Sequence, residues 1–159
     1  MTIARLGNGG RLILLLAALV AFHISARRAS TQTPDMARQV TLFGIVATPN
    51  SSTVDKRLVK IAPQLRKLLP NHGFKLLDVQ SKRLEPGEVL SSNLGDGFSA
   101  ETTLVQPIDP NGKVQLRCVL TLNGMSQIDT VVATPPNQLF FCDKPLANGS
   151  RMLIGIGAR

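Results

Sequence analysis

Apolar and polar residues alternate with a period of two over most of the chain beyond residue 73, and with a helical period in one internal stretch only. Gln39 to Ala47 is β-branched and apolar, short enough for a strand, and bounded by the turn formers Thr48-Pro49-Asn50-Ser51-Ser52. From Val54 to Leu69 the spacing changes. Val54, Leu58, Ile61, Leu65 and Leu68 recur at steps of four and three, which predicts one amphipathic helix capped by Ser52 or Thr53, with Asp55 in its first turn. On a helical wheel Lys56, Lys60 and Lys67 gather opposite that stripe. Pro63 lies beside them as a kink, and Pro70-Asn71-His72-Gly73 ends the helix.

Phe74 to Leu84, a short piece near Val89, Phe98 to Ile108, Lys113 to Leu122, Ser126 to Ala133, Gln138 to Asp143 and Arg151 to Gly157 all read as strands. Turn formers separate them: Pro86-Gly87, Gly95-Asp96-Gly97, Asp109-Pro110-Asn111-Gly112, Asn123-Gly124, Pro135-Pro136-Asn137 and Asn148-Gly149. In the central hairpin Val114, Leu116, Cys118, Leu120 and Leu122 mark the core face. A two-residue Asn123-Gly124 turn would set Leu120 against Gln127 and Cys118 against Asp129, mixing polar with apolar groups. A three-residue loop, Leu122-Asn123-Gly124, sets Cys118 against Ile128 and Val114 against Val132, and is the expected connection. Strand, helix, strand at the start implies that the first two strands run parallel through a right-handed crossover. The expected fold class is therefore α+β: a mixed, mainly antiparallel sheet of six or seven strands with one amphipathic helix packed on a face.

The amino terminus adds an address. Arg5 and Arg11 precede an apolar run from Leu12 to Ile24, followed by Ser25-Ala26. These 13 residues make about 20 Å of helix, short of the roughly 30 Å hydrocarbon core. Residues 1–26 therefore read as a signal peptide and the protein as exported, periplasmic or extracellular. Arg27-Arg28 after the run supply the alternative, an uncleaved N-terminal membrane anchor. Residues 27–38 have few large apolar side chains and read as a flexible tether, leaving 39–159 as a single globular domain. The formal net charge is +8; removal of residues 1–26 takes two arginines and no acid and leaves +6.

Composition narrows the chemistry. Of the residues, 43% are hydrophobic and 18% charged, an ordinary globular balance, whereas Trp and Tyr are absent and His occurs twice. Few groups remain for base stacking or for acid and base work near neutrality. His72 is the one histidine beyond the export segment and reads as an exposed turn residue. Glu85 and Glu88, across Pro86-Gly87, read as solvated turn carboxylates rather than a glycosidase pair. Gly95-Asp96-Gly97 and Gly155-Ile156-Gly157 lack the following helix that a phosphate loop needs. Cys118 and Cys142 lie in apolar strand contexts; in an oxidising compartment they are a disulfide candidate closing a 24-residue separation, worth roughly 3 kcal/mol of loop entropy, against the alternative of two buried thiols. With two Cys and His72, no four-ligand zinc set is formed, and no metal or cofactor is expected. Asn50-Ser51-Ser52 and Asn148-Gly149-Ser150 fit the glycosylation pattern.

The feature with functional pull is the basic helix face, Lys56, Arg57, Lys60, Arg66 and Lys67, which would attract an anionic partner, although solvated helix faces are commonly lysine-rich. The expected function is a small exported non-enzymatic domain serving as an interaction or structural module of an extracytoplasmic assembly, with a protein partner. One alternative is an electrostatic binder of an anionic polymer or lipid surface through the Lys-rich face; another is a cryptic hydrolase. Nucleic acid is disfavoured by export and by the shortage of stacking aromatics.

Overall fold

The computed structural model describes residues 35–159, so the expected signal peptide or anchor (1–26) and nearly all of the expected tether (27–38) lie outside the described residues. Within them the alternating segments form eight strands. β1 (Arg38–Pro49) is followed by a 3₁₀ turn (Lys56–Leu58), the short helix α1 (Ala62–Leu68) and β2 (His72–Leu84). β3 (Val89–Gly95), β4 (Phe98–Gln106), β5 (Val114–Leu122), β6 (Met125–Thr134), β7 (Leu139–Pro145) and β8 (Arg151–Ala158) complete the chain.

The strands pair in two four-stranded sheets, β2-β1-β8-β7 and β3-β4-β5-β6, with antiparallel pairing throughout. The fold is a mainly β two-sheet sandwich. It replaces the expected α+β arrangement of one mixed sheet of six or seven strands with a packed amphipathic helix. The physical reason is coverage: strands that alternate apolar and polar residues each present a face needing burial, and one seven-residue helix cannot cover them all. Two sheets turned face to face bury both sets. Val40, Leu42, Met152, Ile154 and Ile156 from the first sheet meet Leu90, Leu104, Leu116, Cys118 and Leu120 from the second in one core.

β1 and β2 also correct the expected parallel crossover. They are antiparallel neighbours, Val40 opposite Lys82 and Pro49 opposite His72, so the intervening segment leaves β1 and returns at the same end of the sheet. A bulge interrupts the pair. Gly44 faces Asp78 while Ile45 faces Leu76, leaving Leu77 as the extra residue. Since side chains alternate with period two, one extra residue reverses the faces. Leu84 consequently points into the sandwich, whereas Phe74 and Leu76 point outward, where they join Ile45, Ala47, Leu153, Leu58 and Leu65 in a second cluster.

The expected helix from Val54 to Leu69 is broken into the 3₁₀ turn and α1. Pro63 lacks an N–H, so it is tolerated in the first helical turn and not within a helix; the helix begins anew at Ala62. The restart shifts the phase. Leu58 and Leu65 are fully buried, but Leu68, expected on the same stripe, is 50% exposed. Asp55 accepts from the Arg57 N–H at 3.0 Å and caps the 3₁₀ turn in place of Ser52 or Thr53.

The central hairpin corrects a second expectation. Asn123 and Gly124, both at positive φ (49° and 79°), form the two-residue turn, with Leu122 opposite Met125. The faces still match, because Gln127 is an extra residue in β6: Thr121 pairs with Ser126 but Leu120 pairs with Ile128. Cys118 thus faces Thr130 and Val114 faces Thr134. A bulge, rather than a longer loop, keeps Leu116 beside Val132 on the core side.

One core position is poorly matched. Thr102 on β4 is fully buried, and its Oγ1 has no hydrogen-bond partner among the described residues. Replacing a buried unpaired hydroxyl by a methyl of the same shape removes a desolvation cost, so Thr102→Val should stabilise the domain by about 1 kcal/mol. A lower urea midpoint for the variant would contradict the assignment.

Candidate functional site: a cationic connection and its cleft

The connection between β1 and β2 carries the domain's charge asymmetry. Between Asn50 and Asn71 there are five basic residues (Lys56, Arg57, Lys60, Arg66, Lys67) and one acid, Asp55. The remaining described residues hold nine basic and nine acidic side chains, which cancel. All five residues expected on the basic face are exposed. They are not equally available. The Arg57 guanidinium is held by Asp55, with Nε 3.1 Å from Oδ1 and a terminal nitrogen 2.8 Å from Oδ2, and it also donates to the Leu76 carbonyl at 3.2 Å. Those bonds hold the Asp55 carboxyl well below the usual carboxylate range. Arg57 thereby fastens the connection to β2, while Lys56, Lys60, Arg66 and Lys67 make no ion pair among the described residues. Two apolar side chains stand among these cations, Val59 at 62% and Leu68 at 50% exposure.

At one end of this layer a cleft of about 760 Å³ opens between the end of β1 and the start of β2. Its lining includes Asn50, Ser51, Ser52, Arg66, Asn71 and His72, and no acid. The antiparallel return of β2 creates it by bringing residues 50–52 against residues 70–72; a parallel pair would have placed them at opposite ends of the sheet. The floor is well fixed. Asn50 and Asn71 both adopt positive φ (54° and 61°), and Phe74 exchanges backbone hydrogen bonds of 2.8 Å with Thr53 and Asp55. Gly73 has no room for a side chain: a Cβ there would lie 2.4 Å from Ser51 Oγ and 2.9 Å from the Thr53 carbonyl oxygen. The His72 Nδ1 lies 2.9 Å from the Pro70 carbonyl oxygen, a contact that orients the ring and leaves Nε2 free of it.

His72 therefore differs from the expected exposed turn histidine: it is half-buried and shares the cleft with Arg66. The signal that could have found it is the proximity of Asn50-Ser51-Ser52 and Asn71-His72-Gly73 once the two strands are paired antiparallel. Glu85 and Glu88 remain a turn pair, with Glu88 Oε2 accepting from the Glu85 N–H at 2.8 Å.

Cys118 and Cys142 lie on opposite sheets, β5 and β7, in the shared core, and both are free thiols. The disulfide is not formed in this structure. The neighbouring Cys142 thiol and burial hold Cys118 well above the ordinary thiol range. Neither thiol should react with a water-soluble disulfide reagent in the native protein, and both should react in guanidinium. A count of two on unfolding identifies the pair as free; a count of zero identifies it as bonded.

Among the described residues no group of His, Cys, Asp and Glu is placed to hold a metal ion, and no helix is long and apolar enough to cross a membrane. Comparison of the chain with protein-family models, curated proteins and solved structures finds no match.

Proposed function

We propose that this chain is a small exported, non-enzymatic β-sandwich domain that serves as an interaction module of an extracytoplasmic assembly and docks an acidic protein partner through the connection between β1 and β2. The carrying observation is the concentration of positive charge there, five basic residues against one acid, on a domain otherwise neutral among the described residues. Such a field steers an acidic partner and fixes its orientation. Val59 and Leu68, exposed among the lysines, supply apolar area that a protein surface would cover. The same charge would attract an anionic lipid surface, but the aromatic side chains favoured at a bilayer interface are absent from this layer.

The test is cross-linking of the mature protein in its native envelope, comparing wild type with the Lys56→Gln, Lys60→Gln, Lys67→Gln triple variant. An acidic protein captured by wild type and lost from the variant supports the proposal. Equal capture by both, or binding to anionic vesicles with no protein captured, refutes it.

A further inference from the structure

Building on the acidic-partner reading above, we propose that the cleft between the β1 and β2 ends is a carboxylate-binding pocket, in which Arg66 grips a side-chain or terminal carboxylate of the partner while His72 and the Ser51 and Ser52 hydroxyls line its approach. Seven arginines lie among the described residues. Five are already hydrogen-bonded through their guanidinium groups: Arg38 to backbone carbonyls, and Arg57, Arg83, Arg117 and Arg151 to aspartates. Arg66 and Arg159 have no such bond among the described residues, and Arg66, exposed on α1, is the one of the two that lines this cleft.

A planar guanidinium fork matches a planar carboxylate in two parallel hydrogen bonds, a fit that an ammonium cannot reproduce. The chain itself uses this pairing where Arg117 meets Asp129, with contacts of 2.7 and 2.6 Å. Within the cleft no acid competes for Arg66, since Asp55, the one acid of the connection, is occupied by Arg57. Ser51 Oγ accepts from the Thr53 N–H at 3.3 Å, which leaves its hydroxyl hydrogen to donate. The volume of about 760 Å³ admits a whole acidic side chain with its neighbouring backbone. The close packing of Ser51 on Gly73 and the His72 to Pro70 contact hold the walls in place before a ligand arrives, which lowers the ordering cost of binding.

The experiment titrates the full-length protein with an N-acetylated hexaglutamate peptide, with its hexaglutamine counterpart and with inorganic phosphate as comparison probes, following affinity and the His72 ring signals by NMR. Arg66→Gln, Arg66→Lys and His72→Gln are compared with Lys113→Gln, an exposed cation outside the connection; Arg66 has no partner to lose, so its variants should fold with unchanged thermal midpoints. The expected result is binding of the glutamate peptide with His72 shifts, weakened at least tenfold by both Arg66→Gln and Arg66→Lys and unchanged by Lys113→Gln. Full retention of affinity by Arg66→Lys would reduce the site to diffuse charge and overturn the pocket. If the lysine triple variant then loses binding, the acidic-partner reading still stands. Binding abolished by none of these variants, or absent in wild type, overturns both. Arg66-dependent displacement of the peptide by millimolar phosphate would show a site for tetrahedral oxyanions and overturn the carboxylate assignment.

Discussion

Leu116→Ala should lower the stability of this domain by about 2–5 kcal/mol, whereas Val131→Ala should change it by less than about 0.5 kcal/mol. Both residues are branched aliphatics on the second sheet, within adjacent strands. Leu116, on β5, is fully buried; it stands opposite Leu104 on one side and Val132 on the other, and faces the first sheet across the core. Removal of its side chain loses transfer free energy and leaves a cavity that paired strands on both flanks cannot collapse around. Val131 is one residue from Val132 but points outward from the edge strand β6 and is 55% exposed. For a domain of this size a 3 kcal/mol loss lowers the thermal midpoint by on the order of 10 °C. The contrast tests the register directly: a slip of one residue in β6 would exchange Val131 for Val132 at the core, and comparable losses for the two variants would disprove the pairing.

Replacing Lys56, Lys60 and Lys67 together with Gln should weaken binding of the captured acidic partner by about 10- to 100-fold. Exposed charges contribute about 0.5–1 kcal/mol each to an ion-paired interface, and each 1.4 kcal/mol is a factor of ten. A charge-matched control, Lys82→Gln, Lys113→Gln and Lys144→Gln, removes the same net charge from elsewhere on the domain. It should cost less than about threefold, because the effect is local over a Debye length of about 8 Å at physiological salt. At 0.5 M salt the difference between the two triple variants should shrink. Equal losses from both variants at low salt would mean that net charge, and not its placement on this connection, governs binding.

The charges behind the second prediction were readable from spacing, and their setting was not. Lys56, Lys60 and Lys67 fall opposite the apolar stripe on any helical wheel, but the wheel assumes one continuous helix. Pro63 divides it, and Leu68 emerges beside the cations in place of packing beneath them. The cleft was hidden for a different reason. Arg66 and His72 are close in sequence, yet their companions Asn50, Ser51 and Ser52 lie before the whole connection and meet His72 only because β2 returns antiparallel to β1. A strand-helix-strand pattern carries little information on that direction when the helix is too short to cross the sheet. Similarly, Cys118 and Cys142 read as a pair from number and compartment, while their positions on opposite sheets, thiol against thiol in a shared core, depend on how the sheets stack.

What the amino-acid order determined by itself was local: stretches of alternating or β-branched residues, the turns between them, and the core side of β5, since these follow from period-two geometry and from the dihedral preferences of Gly, Asn and Pro. The tertiary structure decided how those strands are distributed between two sheets, that the first pair is antiparallel, and that Leu77 and Gln127 are bulged. Each of those choices is made by packing between residues distant in the chain. Two sheets bury more of the apolar faces than one sheet under a short helix, and a single extra residue restores matching faces where the tight Asn123-Gly124 turn alone would have opposed them.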